Sequence, residues 1–269
     1  MDLLTYIFIC IIIFMMGASL GSFFNVVLCR LPKKEGFITN RSYCPECGKV
    51  LKWYELLPVI SYIVQKGRCR NCFARIKPQY LIMELLCGGA NLWAFLALSS
   101  DFSAIAGVAA GNAGLSLTIE MIIAFILFPV LISLSVEDIK ITEIPYWCTG
   151  VIAVLGIAAT VASLFLPTKV VWYEHLIGAV IISVPFAVFC FLGAMGGGDV
   201  QLVAAAGLLL GWAIVPSVLI GMFTGAIVGA VIKGLKKRAT ICFGPFLALG
   251  IAAGYLYGYD IIRWYSELF

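Results

Sequence analysis

Two carboxylates stand out in a chain that has few acidic residues. Asp138 lies in the stretch SVEDIKITEIPYW and Asp199 follows MGGG, 61 positions later, each beside a long apolar run. Ionisable residues in or next to such runs are costly to keep and mark functional sites. Two carboxyls a few ångströms apart cannot both ionise, so one holds a proton that the other lacks. Such a pair can deprotonate water with one member and protonate a scissile carbonyl or leaving amine with the other. Gly196, Gly197 and Gly198, just before Asp199, would permit unusual dihedrals and the close approach of a peptide backbone. On spacing alone, Asp199 could equally cap the helix that follows, and Asp138 could be a surface charge. Glu137 and Glu143 read as surface charges, and Glu84 either braces the neighbouring loop or lines the site. No nucleophilic triad competes. The one histidine, His175, heads an apolar run and reads as an interfacial residue, and no serine or cysteine has a base partner.

Four of the ten cysteines form a second constellation. SYCPECGKV and GRCRNCFAR place Cys44 with Cys47 and Cys69 with Cys72 in two Cys-x-x-Cys knuckles separated by 21 residues, Gly48 to Arg68. Each spacing lets two sulfurs of a tight turn face one ion, and two such turns close a tetrahedron around structural zinc. A redox dithiol and unliganded thiols are the rival readings. Cys10, Cys29, Cys87, Cys148, Cys190 and Cys242 lie singly in or beside apolar segments and read as small buried hydrophobes.

The elements that must position these groups are membrane spans. Of the 269 residues, 62% are hydrophobic and 12% charged, too few charges to coat a water-facing surface. Apolar runs near the length needed to cross a bilayer predict an all-α polytopic protein of about eight spans. They are Leu3–Leu28, Tyr80–Leu98, Leu117–Val136, Tyr146–Leu166, His175–Ala194, Val200–Val215, Ser217–Ile232 and Phe243–Ile262. Pro216 divides the sixth from the seventh, with a re-entrant hairpin as the alternative there. Leu3–Leu28 is preceded only by Asp2 among charged residues and exceeds a signal peptide's apolar core, so it reads as a permanent span.

Eight spans put 16 of the 18 basic residues on one side, among them Arg30, Lys33, Lys34, Lys140, Lys233, Lys236, Lys237 and Arg238, leaving Lys169 and Arg263 on the other. The basic side should be cytoplasmic, and both aspartates fall at that boundary. The expected organisation is a first span over 1–29, a zinc-binding four-cysteine loop domain (a zinc ribbon) over 30–79, a second span and outer loop over 80–116, and the aspartate-bearing membrane domain over 117–269.

In order along the chain, GASLGSFFNVVLCRLP (Gly17–Pro32), the four-cysteine segment with LLPVISY (Leu56–Tyr62), DIKITEIP, MGGGDVQLVAAAGLLLG and FGPFLALG (Phe243–Gly250) resemble the bacterial type IV prepilin leader peptidases, GxGD-type aspartyl proteases of the cytoplasmic membrane. The resemblance carries the two catalytic roles to Asp138 and Asp199. It implies removal, on the cytoplasmic side, of the leader of prepilins or pseudopilins, typically after a glycine. Many members with the cysteine domain also methylate the new N-terminus with S-adenosylmethionine. This sequence holds Gln201 where the family usually has lysine, and it offers no Gly-rich loop of the familiar methyl-donor kind. The expected partners are the prepilin or pseudopilin and the lipid bilayer, with no nucleic acid. A transporter using the aspartates as an ion relay and a non-catalytic zinc scaffold are the rival functions.

Overall fold

The computed structural model describes residues 3–30, 41–106, 112–168, 170–193, 195–235 and 242–268. Asp2, Leu31, Pro32, Lys33, Lys34, Lys169, Ala194, Lys236, Lys237 and Arg238, which figure in the sequence reading, lie outside the described residues. The chain forms two compact units, Met1–Leu96 and Ala97–Phe269.

In the first unit, helix α1 (Leu3–Arg30) and the first part of α3 (Gln79–Ala106) flank the cysteine loop, which contributes a 3-10 turn at Trp53–Glu55 and the short helix α2 (Ile60–Val64). Small residues let α1 and α3 approach closely: a Cβ on Gly21 would lie 2.8 Å from the Cys87 Cβ. The Gln79 side-chain amide donates to Asn25 Oδ1 at 2.8 Å and ties the start of α3 to the last turns of α1.

The second unit is a helical bundle of α4 (Asn112–Ile141), α5 (Tyr146–Phe165), α6 (Trp172–Ile181), α7 (Ser183–Phe191), α8 (Gly197–Leu210), α9 (Ile214–Leu235) and α10 (Gly244–Glu267). Helix α8 packs against α5, α6 and α7, whereas α10 packs against α9 and α4. The break between α6 and α7 falls just before Pro185, whose ring cannot donate to the Ile181 carbonyl.

Seven helices among the described residues are long and apolar enough to cross a membrane: Leu3–Arg30, Gln79–Ser99, Leu115–Ile141, Tyr146–Phe165, Trp172–Phe191, Gly197–Ile232 and Gly244–Glu267. The protein is therefore a multi-pass, all-helical membrane protein. The difference from eight lies in Gly197–Ile232, which is one continuous helical stretch by composition but not a straight one. Asp138 meets both ends that begin α8 and α10: it hydrogen-bonds Gly244 and interacts electrostatically with Asp199. At the opposite end, a Cβ on Gly211 would lie 2.9 Å from the Tyr259 hydroxyl, so α8 and α10 run in the same direction. Gly225 lies against Phe243, and Gly258 against Ala213, so α9 runs back.

The chain therefore reverses at Gly211–Ala213, a 3-10 turn in which Gly211 adopts φ +59°, a conformation that L side chains rarely take. The reversal is not at Pro216. That proline sits in the first turn of α9, where its missing N–H has no helical partner to lose. At about 21 Å, the 14-residue α8 is shorter than the hydrocarbon core.

Candidate active site

Asp138 lies in the last turn of α4 and is 5% exposed. Its Oδ2 accepts the Gly244 N–H at 2.9 Å, the first residue of α10, 106 positions away. The helix α4 ends at once: the Thr142 N–H returns to the Asp138 carbonyl at 2.8 Å with Thr142 at φ +53°. Four residues then turn the chain into α5. Asp199 is the third residue of α8, half-buried, and its carboxyl accepts the Gly196 N–H. The N-cap position belongs to Gly196, with no side-chain cap bond, so Asp199 is a first-turn acid and not the N-cap residue that spacing allowed. The same carboxyl nevertheless lies within electrostatic reach of Asp138. The fold has brought together two acids that the sequence separates by 61 positions.

The glycines differ in what they do. Gly196 is the N-cap residue in an ordinary extended conformation, φ −75° and ψ 145°. None of the three has positive φ, so the unusual dihedrals expected of them are not used; that conformation falls at Gly193 instead, φ +73°. A Cβ on Gly198 would press to 3.0 Å on the Ile144 Cβ, which keeps the DIKITEIP turn tight against the start of α8. Gly197 faces open space, with nothing within 4 Å of its would-be Cβ.

Gly244 is the residue that the sequence reading missed. It lay in the FGPFLALG segment with no role attached, because nothing local marks it as a partner of Asp138. A Cβ there would sit 2.7 Å from Asp138 Oδ2 and 2.9 Å from its Cγ. Gly244→Ala should therefore displace the carboxyl or open the α4–α10 contact. Overpacking of this kind costs roughly 1–3 kcal/mol, and a misplacement near 1 Å can cost about 10²-fold in rate. The expected result is a large fall in kcat with KM nearly unchanged, measured beside Gly197→Ala, which should fold normally.

Other expectations resolve differently. His175, near the start of its span, is buried: its Nδ1 lies 2.9 Å from the Leu208 carbonyl, one of the last-turn carbonyls that α8 cannot satisfy itself. Glu143 is exposed, as a surface charge should be, but Glu137 Oε2 is buried without a hydrogen-bond partner. Cys87 and Cys148 are fully buried, whereas Cys29 is exposed and Cys10, Cys190 and Cys242 are half-buried.

In the first unit, Cys44, Cys47, Cys69 and Cys72 present Sγ atoms that all lie within 4.8 Å of one another, with Cys44 and Cys72 at 3.8 Å. A tetrahedron with Zn–S near 2.3 Å has edges of about 3.8 Å, so the donor set and its size are compatible with one zinc ion. Each knuckle closes on an isolated bridge, Tyr43 with Val50 and Arg68 with Arg75. Each also turns on a positive-φ residue, Gly48 in the first and Phe73 in the second. The backbone N–H of Lys49 and then the Asn71 side chain bring the Cys47 thiol down to about 7. Glu84, left open by the sequence, braces this loop: its Oε2 accepts the Val59 N–H at 2.7 Å.

Residues 125–231 match the type IV leader peptidase family, and residues 15–98 match the bacterial peptidase A24 N-terminal domain. A prepilin leader peptidase/N-methyltransferase of Bacillus subtilis is 33% identical over 265 residues, covering 96% of this chain and 98% of that protein. The chain belongs to the type IV leader peptidase family. Proteins with the same name from Myxococcus xanthus and Legionella pneumophila are 31% and 27% identical, over 85% and 96% of this chain and 64% and 94% of theirs. No solved structure matches. The leader peptidase match encloses Asp138, the three glycines and Asp199, and the N-terminal match encloses all four knuckle cysteines and Glu84.

Proposed function

We propose that this chain is an intramembrane aspartyl endopeptidase that removes the leader of prepilins or pseudopilins at the cytoplasmic face of a bacterial plasma membrane. The observation that supports the reading is that Asp138, at the end of α4, and Asp199, at the start of α8, lie within range of each other's charge. The pair holds one proton. The ionised member takes a proton from water as the water oxygen bonds to the scissile carbonyl carbon, and the protonated member gives its proton to the carbonyl oxygen. Collapse of the tetrahedral species breaks the C–N bond: the proton taken from water passes to the leaving amine, and a hydroxyl of the intermediate returns its proton to the member that gave one, so the pair again holds one proton. Gly244 holds the Asp138 carboxyl in place, and the open face at Gly197 leaves room for an extended peptide backbone beside Asp199. The excess of basic residues on one side of the predicted spans favours the cytoplasmic orientation.

Cys44, Cys47, Cys69 and Cys72 would hold a structural zinc ion. With all four positions taken by thiolates, the ion would fix the loop and leave no coordination site for substrate.

The relatives' names carry a second activity, that of an N-methyltransferase; in this chain it would act on the newly exposed N-terminus, with S-adenosylmethionine supplying the methyl group. Among the described residues, the β-structure consists of isolated bridges, so no strand–loop–helix cradle for the donor is present and no residue is assigned to it.

The test is to incubate the purified protein with one prepilin, with and without S-adenosylmethionine, and weigh the product. Loss of the leader mass is expected in both samples, with one further methyl mass in the second alone. An uncleaved prepilin would refute the peptidase.

A further inference from the structure

The cysteine loop is strongly basic, but one part of it carries no charge. Leu56–Val64 reads LLPVISYIV, between Lys52 and Lys66, both exposed. Five of its nine residues are apolar and open to the surroundings: Leu56 at 43%, Leu57 at 37%, Ile60 at 47%, Ile63 at 64% and Val64 at 61%. A water-facing loop gains nothing from such a cluster.

The hydrogen bond from Val59 to Glu84 fixes its height. Glu84 lies five residues past Gln79, where α3 begins, hence roughly 7–8 Å along the span at 1.5 Å per residue. The Val59 N–H reaches that carboxylate directly, at 2.7 Å. Val59 does so at φ +61°, a strained conformation for a β-branched residue. Ser22 of α1 also bonds Glu84. On the same turn of α3, Ile82, Leu85 and Leu86 are 51%, 43% and 50% exposed, as residues facing lipid would be.

We propose that Leu56–Val64 is an interfacial element seated in the bilayer that the chain spans, beside the lipid-facing side of α3, with Lys52 and Lys66 at the level of anionic headgroups. Its depth below the start of α3 matches the roughly 5–10 Å at which interfacial helices lie. Its apolar surface continues that of α3. The membrane accounts for the lack of charge, for the flanking lysines and for the strained residue, which Glu84 holds at depth. The knuckles, with Arg68, Arg70 and Arg75, stay above it in water.

The full-length protein in phosphatidylethanolamine–phosphatidylglycerol vesicles allows a direct test that needs no peptidase activity. The photo-crosslinker p-benzoylphenylalanine would replace Ile63 in one variant and Phe73, 69% exposed on the second knuckle, in another. After irradiation and mass analysis, lipid adducts are expected at position 63 and not at 73. Adding Glu84→Ala to the first variant removes the bond that sets the depth, and its lipid adduct should fall several-fold. Equal lipid labelling at both positions, or none at 63, would overturn the proposal. So would adducts at 63 that form only with an added prepilin and only to its peptide, which would make the segment a substrate-docking surface instead. An adduct indifferent to Glu84→Ala would also overturn it, by removing the anchor on which the depth rests.

Discussion

Asp138→Asn and Asp199→Asn should each abolish leader cleavage, and the double variant should be no worse than the lower of the two. Asparagine keeps the size of the side chain and an oxygen able to accept from Gly244 or Gly196, so both variants should insert and fold. What is lost is the proton that the pair exchanges. General acid–base catalysis by a positioned group contributes on the order of 10²–10⁴-fold, and each single variant should lose at least that. Residues acting as one unit give grossly non-additive losses. Independent roles for the two acids would instead multiply their defects, so a double variant far below both singles would separate them. The wild-type rate should trace a bell against pH, falling on the acid side when both carboxyls hold protons and on the alkaline side when neither does. An ion relay makes the opposite prediction: flux into vesicles that depends on the aspartates, with no cleavage at any pH. Robust processing by Asp199→Asn would remove the dyad from the mechanism.

The pair was legible in the sequence because each aspartate sits in a motif at the edge of an apolar run, and edges of spans are where expensive charges are kept. The spans were legible for the same reason, being set by composition over some twenty residues. The knuckles declared themselves by spacing. What could not be read were contacts between distant segments. Gly244 opens α10 before Pro245 with a free N–H, but only the fold puts that N–H on a carboxylate 106 positions away. Glu84 had two plausible uses until the Val59 N–H appeared opposite it. The reversal at Gly211 was masked by Pro216, the stronger helix breaker by sequence rules, which turns out to sit harmlessly in a first turn. His175 heads a span, as its place in the sequence shows, but the α8 carbonyl beside it belongs to a helix end whose position was unknown.

Chelation, or the double substitution of Cys44 and Cys47 by serine, should unfold the cysteine loop while the second compact unit stays intact. Among residues 41–78 the buried ones are Cys44, Glu55, Pro58 and Cys69, so the loop has no apolar core of its own. Two of those four are the thiols, and Glu55 is spent on the Lys52 N–H at 2.8 Å. A segment this poor in buried surface cannot offset the entropy of ordering its backbone, about 1–2 kcal/mol per residue. Metal binding can contribute on that scale, since zinc-finger peptides gain an apparent 10–16 kcal/mol or so from their ion. Mass measurement of the purified protein should find one zinc, absent from the double-serine variant. Trypsin should then cut at Lys49, Lys52, Lys66, Arg68 and Arg70, sites that the metal-loaded loop protects. A chelated protein whose loop remained as resistant as before would mean that the four thiols, close as they are, hold the knuckles without an ion. The Glu84 anchor would then have to do more than brace them.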